Sequence, residues 1–283
     1  MKKNITIALF SFAFLFVFGC KGSGGDQAQN TVVTVKGSDT MVQLAQIWAE
    51  KYMAVHKDMQ IQVTGGGSGT GISSLINGTT DLCNASRPMK DAEKQQLLAK
   101  YKIPVTETVV ARDGITIYVN PENKIKDLSF DQLQKIYLGE IKNWKEVGGK
   151  DAPIILYGRE NSSGTYAFFK EHVLANKDFT NFLQAMPGTA AVVNAVKKDV
   201  NGIGYGGAGY AKEVKETPIK KDANGTALLP IKENIDNNSY PLSRNLYIYT
   251  SKPPEGKIKE YIDWMLSPEG QALVREQGYF TVK

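Results

Sequence analysis

Three short runs of small and hydroxyl-bearing residues hold the side chains best suited to grip a ligand. They are Gly37-Ser38-Asp39-Thr40, Gly65-Gly66-Gly67-Ser68-Gly69-Thr70-Gly71 and Arg159-Glu160-Asn161-Ser162-Ser163-Gly164-Thr165. Serine and threonine hydroxyls donate hydrogen bonds without adding charge, and glycine lets the backbone come close to a ligand. Arg159 adds a planar, permanently charged fork that suits a tetrahedral oxyanion. Taken singly, each run reads equally well as a turn followed by a helix N-cap. Three in one chain, one led by an arginine, point to an anion site.

Each run sits where a strand should end and a helix begin. Val32-Val33-Thr34-Val35 is β-branched throughout and stops at Gly37, after which Met41, Leu44, Ala45, Trp48 and Tyr52 recur at helical spacing. Ile61-Gln62-Val63 leads into the second run, and Ile72, Leu75 and Ile76 then predict a short helix closed by Asn77-Gly78. Ile154 to Gly158 leads into the third, with Tyr166, Phe169 and Val173 carrying the helix after it. A helix N-terminus presents unpaired N–H groups and about half a positive charge, so this placement favours an anion. Nucleotide motifs do not fit the same segments. Gly65–Gly71 lacks the Gly-Lys-Ser/Thr of a P-loop, and Gly202-x-Gly204-x-x-Gly207 follows a lysine-rich helical stretch, Ala195 to Asp199, instead of a strand.

The 283 residues allow two domains or lobes, and a 22% charged content excludes wholesale disorder. Two cysteines exclude a disulfide scaffold, and no Cys/His spacing matches a zinc site. His56 and His172 are the only histidines, and no catalytic triad is visible around them. The net charge of +5 falls to +3 once Lys2 and Lys3 are removed, too little and too scattered for a nucleic-acid surface. Those lysines open residues 1–19, which read as a signal peptide whose apolar run, Ile5 to Gly19, is too short to span a bilayer. Val17-Phe18-Gly19-Cys20 resembles a bacterial lipobox, in which the cysteine receives diacylglycerol; ordinary secretion, with Cys20 merely nearby, is the alternative. Each buried acyl CH₂ contributes about 0.8 kcal/mol of membrane affinity. Residues 20–31 are then the lipidated cysteine and a flexible tether, and Cys83 is left as a buried free thiol.

The three runs, in this order, resemble the phosphate-binding proteins of bacterial phosphate ABC transporters. So do Asp81 to Ala85-Ser86-Arg87-Pro88-Met89, Ile136-Tyr137-Leu138-Gly139-Glu140-Ile141 with Asn143-Trp144, Asn201-Gly202-Ile203-Gly204-Tyr205, and Ser267-Pro268-Glu269-Gly270-Gln271. The resemblance covers nearly everything after residue 31. It implies an α/β, two-lobe, type II periplasmic-binding-protein-like fold with a ligand cleft between the lobes. Lobe 1 is expected at 32–108 with a return at 249–283, and lobe 2 at 109–248, the chain crossing near Thr106–Ile117 and Tyr240–Thr250. The return is supported by an apolar stripe, Ile258, Tyr261, Ile262, Met265 and Leu266, and by Ser267-Pro268 as N-cap and first residue of a further helix.

Carried over residue by residue, the family's site falls on Ser38 and Thr40, Ser68, and Ser86 in one lobe, and on Arg159, Ser163, Gly164 and Thr165 in the other. The resemblance implies a non-enzymatic receptor that captures inorganic phosphate and delivers it to an ABC permease. It implies no cofactor, no metal, no nucleic acid and a monomer, held on the outer face of the bacterial cytoplasmic membrane by its lipid anchor or free in the periplasm. Some family members carry aspartate at the positions aligned with Ser86 and Asn161. A carboxylate rejects sulfate, since it and an unprotonated oxyanion are both acceptors, whereas phosphate keeps a proton. Asp39 is the candidate replacement, unless it merely caps a helix; Glu160 is a poorer one because Arg159 can pair with it. The same scaffold tuned to sulfate, molybdate or another oxyanion is the alternative reading. A secreted phosphoester-processing enzyme is the alternative of another class and needs a nucleophile beside a base. Trp48, Trp264, Tyr137 and Trp144 read as core, Arg87 as a brace for Asp81 with contact to the anion as the alternative, and Lys215 to Asp222 as a solvated charged segment.

Overall fold

The protein is described by a computed structural model covering residues 31–282; the expectations for the signal peptide, Cys20 and the tether before residue 31 lie outside the described residues. The chain begins β1 (Thr31–Gly37), α1 (Val42–Val55), β2 (Met59–Thr64), α2 (Ser68–Asn77), β3 (Leu82–Ala85) and α3 (Asp91–Tyr101). There follow β4 (Thr106–Val119), β5 (Leu128–Ser129), α4 (Phe130–Leu138), β6 (Ile155–Arg159), α5 (Gly164–His172), β7 (Gln184–Met186), α6 (Thr189–Lys198) and β8 (Gly202–Gly207). The last part is β9 (Lys215–Thr217), β10 (Ile219–Lys220), α7 (Lys232–Asp236), β11 (Ser243–Thr250), α8 (Gly256–Leu266) and α9 (Pro268–Glu276).

The strands line up as β2-β1-β3-β11-β4-β8-β6-β7, with β9 joining on β4. β1 is parallel to β2 and β3, and β6 is parallel to β7 and β8, whereas β11 and β4 run antiparallel to their neighbours. β4 belongs to both halves. Thr106 to Gly114 pair with β11, and Ile115 to Val119 pair with β8. The two largest cores meet at this strand. Val33, Val35, Leu44, Trp48, Leu246 and Val274 pack in one, and Ile115, Ile117, Leu133, Tyr137, Trp144 and Tyr205 in the other. The mixed α/β, two-lobe architecture is the one the sequence implies.

Local chemistry accounts for the elements that carry the three runs. α2 lies so close to β1 that a Cβ on Gly71 would stand 2.6 Å from the Gly37 Cα, so only glycine lets the helix seat there. Gly78 closes α2 in the left-handed conformation, as Asn77-Gly78 predicts. Ser163 caps α5, its Oγ accepting from the Thr165 and Tyr166 N–H groups at 3.2 Å each. Ser267 caps α9 with Pro268 behind it, and the Trp48 Nε1–H donates to the Gly270 carbonyl at 2.9 Å, tying the C-terminal helices onto the first lobe.

Several side chains differ from expectation. Trp48, Tyr137 and Trp144 are buried, but Trp264 is only half-buried against the first core, and its Nε1–H reaches Glu269. Arg87 does not brace Asp81. It forms a two-pronged ion pair with Glu93 at 2.7 and 2.8 Å, while Asp81 accepts from the Thr34 N–H and hydroxyl. Lys215 to Asp222 is not a solvated segment, because β9 and β10 run through it and Thr217 and Ile219 are fully buried. Cys83 is a buried free thiol whose pKa is pushed up by burial, as expected.

Burial pushes the Glu93 carboxyl upward, but hydrogen bonds from Arg87 and the Lys90 N–H outweigh it and hold the group below its ordinary value. The stability this contributes is fully present above the ordinary carboxylate range and is lost as pH falls through the depressed value. Glu93→Gln is therefore expected to cost about 1 kcal/mol at neutral pH, with the difference vanishing in acid. Urea unfolding of both proteins across this range checks it; a gap independent of pH contradicts the ion-pair account.

Candidate functional site

The C-terminal ends of the parallel strands face the gap between the lobes, the usual position for ligand loops in open α/β sheets. β1 delivers Ser38, Asp39 and Thr40, β3 delivers Ser86, and α2 begins at Ser68. From the other lobe β6 ends at Arg159, and α5 begins at Gly164 behind its Ser163 cap. The structure brings these eight residues together, with Thr165 next to Gly164 in α5.

The hydroxyls form one buried cluster. Ser38 Oγ donates to Ser86 Oγ at 2.8 Å, the Ser86 N–H donates to Ser68 Oγ at 3.0 Å, and the Ser68 and Ser86 hydroxyls are 3.3 Å apart. Thr40 Oγ1 and Thr165 Oγ1 meet across the lobes at 2.8 Å, both side chains buried. The Gly69 N–H crosses in the same way to the Ser162 carbonyl at 2.9 Å. Gly164 sits directly against this cluster: a Cβ there would strike Ser68 Oγ and lie 2.7 Å from Ser86 Oγ.

Arg159 is the charged member and is only 2% exposed. Its Nη2 donates to Asp39 Oδ2 at 2.6 Å across the lobes, and its Nη1 donates to Thr189 Oγ1 at 2.8 Å. Burial lowers the Arg159 pKa and the Asp39 charge opposes that shift, so the pair holds as an ion pair. Asp39 is not a helix cap. Its other oxygen, Oδ1, accepts from the Gly66 N–H at 2.8 Å, and residue 41 takes the cap position of α1 with no side-chain bond. Glu160 is exposed, and the carboxylate on Arg159 is that of Asp39. Asn161 is exposed too, so its lack of charge leaves nothing unpaired in the cluster.

Three helix N-termini converge here. α2 opens at Ser68, α5 at Gly164, and α6 at Thr189, whose hydroxyl holds Arg159. Their N–H dipoles add positive potential without adding an ion. The arrangement can hold a small anion by hydroxyl and backbone donors, with one guanidinium and one carboxylate facing it.

Sequence reading missed Thr189, Arg244 and Asp113. Arg244 and Asp113 face each other on β11 and β4 in strand register and form a buried ion pair, Nη2 to Oδ2 2.7 Å and Nε to Oδ2 3.0 Å. The signal was present: Asp113 on β4 and Arg244 on β11 are opposite charges on strands with long apolar stretches, and a buried charge needs a partner. A cavity of about 790 Å³ also lies between the lobes, lined by Arg87, Lys90, Asn161, Phe168 and Arg244 among others, but by none of the clustered serines and threonines.

Gly164→Ala is expected to wedge the lobes apart, because the added methyl lands on the Ser68 and Ser86 hydroxyls. Small-angle scattering should show a larger radius of gyration with little change in helix content. An unchanged radius would mean that the α5 N-terminus does not set how closely the lobes approach.

Comparison with known proteins is consistent with this geometry. Residues 23–269 match the model of the PBP superfamily domain. The chain is 35% identical to the phosphate-binding protein PstS of Pseudomonas aeruginosa over 86% of its own length and 80% of that protein's. It is 36% identical to PstS of Staphylococcus aureus, with 99% and 88% covered. Among solved structures, a Clostridium perfringens protein assigned to phosphate ABC transporter substrate binding, crystallised with bound phosphate, superposes with a TM-score of 0.81 at 31% identity, covering 89% of this chain and 100% of that one. A phosphate transport receptor from Vibrio cholerae gives a TM-score of 0.71 at 29% identity, with 88% and 99% covered. By fold, by coverage and by identity, the chain belongs to the PstS phosphate-binding proteins of the PBP superfamily.

Proposed function

We propose that the protein captures inorganic phosphate between its lobes and hands it to the permease of an ABC transporter. The observation that carries this reading is the buried cluster of Ser38, Thr40, Ser68, Ser86 and Thr165 hydroxyls, closed by Arg159 from the opposite lobe. Phosphate oxygens accept from these hydroxyls, from the Ser86 N–H and from the N–H groups that open α2 and α5. Arg159 supplies the countercharge, and its Nε–H has no protein acceptor. Asp39 has lone pairs beyond those used by Arg159 and Gly66, so it can accept a hydrogen bond from the protonated oxygen that phosphate keeps and sulfate lacks.

On this reading β4 and β11 act as the hinge. The lobes divide where the cores do, between Ala111 and Ile115 on the way out and between Leu242 and Leu246 on the way back. Among the described residues no helix is long and apolar enough to cross a membrane. On this reading a lipid on Cys20 anchors the receptor outside the cytoplasm, where it serves its permease as a monomer. A phosphoester-processing role has less support: His56 stacks on Tyr52 and His172 on Phe168, each at 3.9 Å between rings, and neither hydrogen-bonds to the hydroxyl cluster.

Isothermal titration of the phosphate-stripped protein is expected to show one-to-one phosphate binding and little sulfate heat. Comparable binding of both would widen the assignment to tetrahedral oxyanions. Arg159→Ala should weaken phosphate binding by about 2–5 kcal/mol, as loss of a buried charged partner does. Asp39→Asn should lower the phosphate-to-sulfate preference more than the phosphate affinity itself; an unaltered preference would confine Asp39 to its ion pair.

A further inference from the structure

Arg244 stands on the crossing strand β11, three residues before Tyr247, which pairs with Ala85 at the end of β3. That register sets its side chain level with the loop that leaves β3, where Ser86 begins. Its guanidinium is 2% exposed and every edge is committed. Nε and Nη2 donate to Asp113 on β4, Nη1 donates to the Ser86 carbonyl at 3.0 Å, and Nη2 also reaches Thr40 Oγ1 at 3.3 Å. The Phe168 ring on α5 lies 5.7 Å from the guanidinium carbon. One side chain thus touches both crossing strands, two loops of the first lobe and the α5 helix of the second.

We propose that Arg244 is a positioning residue of the anion cleft, one that sets which way its hydroxyl and amide donors point; this rests on the phosphate-capture reading. An arginine is only a donor, so the Thr40 oxygen must accept from it, and the Thr40 proton is turned away toward Thr165 and the ligand side. The bond to the Ser86 carbonyl fixes the Ser86–Arg87 peptide plane, and so holds from one side the residue whose N–H, on the preceding peptide, donates to Ser68 Oγ. Burying a guanidinium with a carboxylate is costly where an apolar pair would serve, and here the cost yields two oriented site residues. Because Arg244 is shut away from solvent, it acts on the closed, bound state and not on encounter.

Two variants test this by stopped-flow and titration with inorganic phosphate. Arg244→Lys keeps a charge for Asp113 but lacks the planar fork needed to reach Ser86 and Thr40 as well. It is expected to keep one-to-one binding, to weaken it about ten- to a hundredfold, and to do so through faster dissociation with association unchanged. Asp113→Asn with Arg244→Met removes both charges together, so no buried ion is left alone, and should show the same kinetic change. Phosphate affinity and dissociation rate equal to wild type in the folded Lys variant, with only the melting temperature lowered, would overturn the proposal. So would a loss carried by slower association. If the wild-type protein itself fails to bind phosphate, the capture reading fails first, which is a separate outcome.

Discussion

The Arg159–Asp39 ion pair is the contact on which the cleft depends. A guanidinium that is 2% exposed needs an acceptor, and among the described residues the one carboxylate paired with it belongs to the other lobe. Burying Arg159 therefore requires the lobes to approach until Asp39 arrives. The same approach brings Thr40 to Thr165, Gly69 to Ser162 and Gly164 to Ser68 and Ser86. None of these neutral contacts is strong alone, since a net hydrogen bond is worth about 1 kcal/mol. The charged pair sets the separation at which they all become possible.

Around that pair the site is built from dipoles more than from ions. Arg159 is balanced by Asp39, and Arg244 by Asp113, so the charged side chains cancel two against two. What remains is oriented: three helix N-termini, hydroxyls, and amide groups held by the loops. Such donors are fixed before a ligand arrives and cost little to reorganise when it does. On the phosphate-capture reading, selectivity lies in the balance of donors to acceptors, and Asp39 is the carboxylate on which that balance turns.

Much of this was legible in the chain. The strand–run–helix order around Ser38, Ser68 and Ser163 follows from β-branched stretches, glycines and apolar spacing, all local signals. Ser267-Pro268 and Asn77-Gly78 announced helix ends by their own chemistry. What stayed hidden depended on distant partners. Arg159 reads naturally as a neighbour of Glu160, yet its carboxylate is 120 positions away. Arg87 takes Glu93 because the turn into α3 offers both oxygens, whereas Asp81 is already bound by Thr34. Arg244 and Asp113 lie 131 positions apart and become partners only through the antiparallel register of β11 and β4. The charged look of Lys215 to Asp222 misled because alternating residues face inward in a strand, and a short charged run can still bury half its members.

The shared strand β4 has a consequence for how the molecule comes apart. Two lobes joined by loose linkers melt separately, each at its own temperature. Here the last residues of one core and the first of the other lie four positions apart on one strand, Ala111 and Ile115, hydrogen-bonded on both sides. Losing either half strips β4 of a neighbour and exposes the Arg244–Asp113 pair, so the remaining half is weakened as the first unfolds. A receptor with two cores should thus denature as one cooperative unit, and a ligand that grips both lobes should protect the entire molecule against proteases rather than its cleft alone.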